Sequence, residues 1–320
     1  MGNRQLCGHS DWDGVTNLVM RNRWVVLAVT GMLAACGLTD ALPVVPQHFD
    51  GQLAHELVAA QLALGPRYPG SEGHRQVQAR IEADLGEAGW AVERFPFEVA
   101  GIEVANLVSQ RRGAGDGPWI LLGAHYDTRP IADEDPVSPA GPVPGANDGA
   151  SGVAVLLELA RVIDDSDLAC QLSFALFDAE DSGRLEGWDW AAGSAHYVAT
   201  RQELPDLVVI VDMIGDADLQ IPRERNSHPE LVDSIWATAA QLGYTVFEDR
   251  PGYSIFDDHS AFLARGVPAA DLIDFDYPYW HTTQDTLDKV SAASLEAVGR
   301  TLQAWLETEA CDLANRLSQQ

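Results

Sequence analysis

The sequence predicts an α/β domain with a largely parallel central sheet, its strands alternating with helices. Three observations predict it. Apolar runs such as 119–124 and 172–177 alternate with segments of helical periodicity. Those runs are continuous rather than alternating, as parallel strands buried on both faces must be. Each stops at a polar residue: His125, Asp178 or Asp212.

The elements follow in order. Arg21 and Arg23 precede an apolar run, 24–35, which is too short for a comfortable membrane span. It ends in Leu33-Ala34-Ala35-Cys36-Gly37, which resembles a bacterial lipobox, with Met20 where such a signal begins. The expectation is a signal segment over 1–36 with its true start at Met20, and a lipoprotein of the bacterial cell envelope. Its sole membrane contact would be a lipid on Cys36; a plain signal peptide with an incidental cysteine is the alternative. Residues 37–50 read as a Pro-rich tether, and 51–320 as a single catalytic domain. Within it, helical spacing covers 55–64 and 77–88, and strands cover 90–99 and 102–110. A hairpin-like loop, 111–118, leads to strand 119–124. A Pro/Gly/Asp loop, 129–147, precedes helix 149–163. Strand 170–177, helix 193–201, strand 207–211, helices 229–242 and 258–265, strand 269–275 and a last helix, 291–314, complete the chain. Cys170 and Cys311 read as separate thiols, since two cysteines make no disulfide framework.

Composition narrows the function. Apolar residues make up 46% of the 320, enough for a sizeable core, and the net charge is −28. That acidity argues against nucleic acid and anionic membrane surfaces as partners. Lys289, the single lysine, lacks the Gly-Lys-Ser/Thr context of a phosphate-binding loop.

Five segments deliver His, Asp and Glu to strand ends, where open α/β sheets bind ligands. Singly, Asp148 reads as a helix N-cap, His125 as a satisfied core histidine and Asp212 as a turn residue. Together they repel one another unless a cation or a shared proton holds them. Histidine with carboxylates and no cysteine suits catalytic zinc. In FDAEDSG (177–183), Asp181 is then expected on the metal, with neighbouring Glu180 free for proton transfer.

Six segments in order, GAHYDT (123–128), PGANDGASGVAVLLELAR (144–161), FDAED (177–181), VDMIG (211–215), FDDHSAFLARGVP (256–268) and YWHTTQDT (279–286), resemble the zinc aminopeptidase superfamily. The resemblance implies that superfamily's mixed twisted sheet. It offers two branches: two-zinc aminopeptidases, and one-zinc glutaminyl cyclases that convert N-terminal glutamine to pyroglutamate and release ammonia. Asp257 before Asp258-His259, and Trp280 directly before His281, resemble the cyclases, as does GWDWAAGS (187–194), from which Trp188 is expected to supply a pocket wall. Glu180-Asp181 departs from the Glu-Glu of the animal cyclases. By this resemblance Asp148, Asp181 and His281 bind one zinc, Glu180 shuttles the proton, and Asp257 and Asp212 form a shared-proton network. Trp280 and Trp188 wall the pocket, while His125 and Asp127 support the site or bind a second metal. The expected partners are peptides or proteins with N-terminal glutamine. The alternatives are a two-zinc aminopeptidase and a non-catalytic zinc- or peptide-binding lipoprotein, the latter opposed by an intact Glu180.

Overall fold

The computed structural model describes residues 47–319 except 114 and 116. The signal segment, the lipobox at Cys36 and most of the tether lie outside the described residues.

Nine strands are β1 (Val92–Val99), β2 (Ile102–Ser109), β3 (Arg112–Gly113), β4 (Trp119–His125), β5 (Gln171–Phe177), β6 (Leu207–Asp212), β7 (Ile221–Arg223), β8 (Phe247–Pro251) and β9 (Ala269–Ile273) among the described residues. Eight α-helices are α1 (Gly51–Leu62), α2 (Glu72–Glu87), α3 (Ala150–Val162), α4 (Ala192–Thr200), α5 (Pro229–Leu242), α6 (His259–Leu263), α7 (Ala292–Thr308) and α8 (Ala310–Leu317). The main sheet runs β1-β2-β5-β4-β6-β9, with β3 also on β5. Strands β5, β4, β6 and β9 are parallel, and β1 and β2 are antiparallel additions at one edge. This is the mixed, mostly parallel sheet that the sequence predicts.

The continuous apolar runs have the expected cause. On β4, Ile120, Leu122 and Ala124 enter the larger core with α3, while Trp119 and Leu121 enter a second core with Tyr197 of α4 and Phe262 of α6. Strands β5 and β6 divide their side chains in the same way, so both faces are dry. Because the four parallel strands point one way, residues 125, 178 and 212 emerge along one edge.

Four expectations need correction. Cys170 and Cys311 are not separate thiols but a disulfide with a Cα–Cα distance of 5.2 Å. The last helix is not continuous over 291–314: α7 and α8 meet at Glu309, and the new direction of α8 brings Cys311 to Cys170, just ahead of β5. No glycine or proline marks that break, so periodicity could not show it. The tether ends earlier than 50, because Phe49 is buried against Gly299 and Asp50 caps α1. Strand 269–275 stops at Ile273, where the Asp274 carboxylate accepts the backbone N–H groups of Gln220 and Asp276. The short parallel pair β7–β8 carries no alternation and was not expected.

Candidate active site

The carboxylates of FDAEDSG have three different fates. Asp178 is wholly buried and structural: its oxygens lie 2.8 and 2.9 Å from His74 Nε2, and it accepts the Ala105 N–H and the Tyr126 hydroxyl. Ala179 then adopts a left-handed backbone, φ 57°, which turns the chain sharply out of β5. The next two N–H groups, of Glu180 and Asp181, donate to the two oxygens of Asp127 at 3.0 and 3.2 Å. Asp127 thereby fixes both carboxylates that reach the cavity. Met213, φ 48°, makes a similar turn after Asp212, and His281 itself stands at φ 53°.

Two groups of potential metal ligands share one residue. His125, Asp148 and Asp212 form one, and Asp148, Asp181 and His281 the other, with donor atoms inside each group within 4.8 Å of one another. One Asp148 oxygen faces His125 Nε2 at 3.2 Å, and the other faces His281 Nε2 at 3.8 Å. His125 Nε2 also lies 3.0 Å from Asp212 Oδ1, and His281 Nε2 lies 2.8 Å from Asp181 Oδ1. Asp148 is not the N-cap of α3; Gly149, at φ 95°, takes that position and makes no side-chain cap. The backbone N–H groups of Asn147 and Asp148 instead donate to Asp285 at 2.9 and 3.1 Å. Asp133, 3.4 Å from His281 Nδ1, orients the ring from behind.

These donors fit a divalent cation. Asp148 Oδ2 and Asp181 Oδ2 are buried with no hydrogen-bond partner, and nitrogen plus carboxylate oxygen is a zinc donor set. Charge tells the same story. Burial, then the Asp148 charge, pushes Asp181 up to about 6, and burial pushes Asp212 up to about 7. Burial opposes the His125 cation, yet Asp212, Asp127 and Asp148 hold its pKa well above the ordinary range. So much shared negative charge in a dry site is costly without a cation.

A cavity of about 370 Å³ opens over these groups, lined by Asp148, Glu180, Asp181, Asp212, Asp257 and Trp280. All but one of the expected catalytic, metal and pocket residues therefore converge, with His281 directly behind. Burial first, and the Asp257 charge second, raise Glu180 well above the usual carboxylate range. The exception is Trp188. Trp190 lines the cavity in its place, stacked on His281 at 5.8 Å, with the Arg129 guanidinium 5.1 Å from its centroid. The expectation was wrong by two residues. Trp190 fits flat against Gly183, where any Cβ would meet its ring, and that packing has no sequence period. His125 and Asp127 stand behind the cavity: His125 belongs to a ligand group, and Asp127 to neither. Asp285, Asp133 and Arg129, which donates to the backbone oxygens of Asp181 and Gly183, were missed. Asp285 lies inside the quoted motif YWHTTQDT and could have been found; Asp133 carries no such signal.

Residues 106–306 match the model of Peptidase family M28. The chain belongs to peptidase family M28. This family member is 27% identical over 281 residues to a glutaminyl-peptide cyclotransferase-like protein of Bos taurus, covering 75% of this chain and 71% of that one. A crystal structure of Tannerella forsythia glutaminyl cyclase superposes with a TM-score of 0.76 at 30% identity, over 82% of this chain and all (100%) of that one. A leucine aminopeptidase precursor from Bacteroides thetaiotaomicron superposes with a TM-score of 0.78 at 27% identity, over 83% of this chain and 99% of that one. The M28 chain is thus a zinc-dependent enzyme by kinship, with relatives named for both reactions.

Proposed function

We propose that this enzyme is a glutaminyl-peptide cyclotransferase. The observation that carries the reading is Asp257, which faces Glu180 across one small cavity closed by Trp190 and Trp280. A walled acid pair suits a compact N-terminal glutamine better than a long peptide lying across the site.

Asp148, Asp181 and His281 would hold one zinc, which supplies Lewis acidity toward the substrate γ-carbonyl. Trp190 and Trp280 confine the glutamine head so that its own α-amine faces the γ-carbon, and intramolecular attack needs no second molecule. Glu180, which burial and then the Asp257 charge make more basic than an ordinary carboxylate, takes a proton from the α-amine. The new C–N bond closes the five-membered ring, and the old C–N bond to the amide nitrogen breaks. Glu180 returns the proton to that nitrogen, which leaves as ammonia. Asp212, pushed up to about 7 by burial with the Asp257 charge adding to it, would hydrogen-bond the departing nitrogen together with Asp257. Anchoring in a bacterial envelope through Cys36 is part of the proposal, and a disulfide between Cys170 and Cys311 supports an oxidising compartment.

A second reading, a two-zinc aminopeptidase, is favoured by the His125–Asp148–Asp212 group. Assays with glutaminyl peptides and leucyl arylamides, with zinc quantified in the same sample, separate the two. Cyclisation with about one zinc per chain is expected. Glu180→Gln should lower kcat by about a hundredfold or more with zinc content unchanged, and Asp181→Asn should lose zinc first. If Glu180→Gln loses the metal and Asp181→Asn keeps it, the assignment of these two carboxylates is wrong.

A further inference from the structure

The cavity floor is acidic and small, but its mouth is neither. Phe256 is 67% exposed, Tyr253 49% and Phe275 37%, and all three line the mouth. These are half of the six large apolar side chains exposed among the described residues, gathered at one opening. Tyr253 and Phe275 meet edge to face at 5.7 Å, and Phe275 meets Trp280 at 5.3 Å. An apolar strip thus runs from solvent down to the acidic floor of the cavity. The strip is built rather than incidental. The Tyr253 hydroxyl donates to Asp276 at 2.8 Å, the Ile255 N–H donates to Glu224 at 2.9 Å, and the Asn226 side-chain amide donates to the Ile255 carbonyl at 2.8 Å. Buried Glu224 also accepts the Ser227 hydroxyl and N–H, both at 2.7 Å, so loop 253–257 is held in place before anything binds. Arg184 is the single cation among the cavity's lining residues.

Resting on the cyclase reading of the same site, we propose that Tyr253, Phe256 and Phe275 read the residue that follows the N-terminal glutamine. They select peptides with a bulky apolar second residue. A peptide whose glutamine fills the floor of the cavity must leave through this mouth, so its second side chain crosses the aromatic strip. A ring or branched chain there would cover surface that is now wet, and the pinned loop costs little ordering on binding. Arg184, which lines the same cavity, donates to the carbonyl of that second residue.

Because this contact is remote from the breaking bond, it acts on KM more than on kcat. The experiment compares cyclisation of Gln-Phe, Gln-Gly, Gln-Glu and Gln-Lys peptides by the full enzyme and by Phe256→Ala and Phe275→Ala. Sedimentation is run on the same samples. The wild type should prefer Gln-Phe to Gln-Gly by about tenfold in kcat/KM, mostly through KM. Either variant should pull that ratio toward one, with zinc content retained. Equal turnover of all four peptides by the wild type overturns the inference and leaves the cyclase reading standing. Absence of turnover on every glutaminyl peptide overturns both. A wild-type dimer that Phe256→Ala makes monomeric, with the substrate ratio unmoved, would make the strip a contact between copies of the chain and overturn the inference.

Discussion

The two ends of β6 carry the same residue in opposite circumstances. Asp206, just before the strand, accepts the Trp119 N–H at 2.7 Å, and its own N–H returns a bond to the Trp119 carbonyl at 2.8 Å. Its charge is spent on joining β6 to β4. Asp212, the last residue of the strand, lies instead 3.0 Å from His125 in a crowd of carboxylates and is pushed up to about 7 by burial. The contrast extends to the whole sheet. Near Asp206 the Trp119 indole donates to Ser173, and the Cys170–Cys311 disulfide ties α8 down. Near Asp212, buried oxygens of Asp148, Asp181 and Asp257 have no partner. One edge is satisfied and holds the fold; the other is left unsatisfied, which is the condition for gripping a metal and a substrate.

Substitutions at each edge can break this contrast. The largest effect is expected from Asp212→Asn, which should lower kcat by about a hundredfold while leaving thermal stability intact or improved, because a buried charge is removed. Its counterpart, Asp206→Ala, should leave kcat unchanged and cost about 1–2 kcal/mol by orphaning the Trp119 N–H. Denaturant titration beside steady-state kinetics checks both, and reversed outcomes would erase the distinction between the edges. Cys311→Ser comes next. With the two cysteines 141 positions apart, loss of the crosslink should destabilise by about 3–5 kcal/mol and leave KM untouched. Smaller again, Trp190→Ala should raise KM about tenfold, whereas Trp188→Ala should change it less than twofold. If Trp188 proves the sensitive position, the wall of the cavity is misassigned.

The smallest effect concerns pH. Asp181 is raised to about 6, and Asp212 and Asp285 to about 7, all above the value of about 3.9 for an unfolded aspartate. Between those limits the folded chain binds more protons than the unfolded one. The stability of zinc-free protein should therefore fall as pH rises from about 4 to about 7. A bound cation takes over the protons' part in neutralising the site and should flatten the slope. Melting curves with and without chelator test this, and a zinc-free Tm that climbs across the window would contradict it.

Much of the fold was legible because burial on both faces writes itself as uninterrupted apolar runs, and β4, β5 and β6 lie within a residue or two of where those runs stand. The site was legible for a related reason. Polar residues at the ends of such runs fall on one edge, so Asp148, Glu180, Asp181, Asp212 and His281 could be gathered from the order of residues alone, whereas Asp257 came from the resemblance to the cyclases. What failed was whatever depends on direction rather than on pattern. The break at Glu309 has no residue signature, so the disulfide it permits looked like two thiols. Trp188 and Trp190 are equivalent in a linear motif and differ only in which one the left-handed turns and Gly183 bring onto His281.

By itself, then, the sequence determined the class of fold and the acidic edge, since hydrophobic period and residue chemistry are local properties. Tertiary structure alone decided that Asp148 faces two histidines at once and that Asp127 and Asp285 grip the backbone beneath the ligands. It also placed three exposed aromatics around one mouth. Those are contacts between residues far apart in the chain, and they exist only once the parallel strands have brought their carboxyl ends to the same edge.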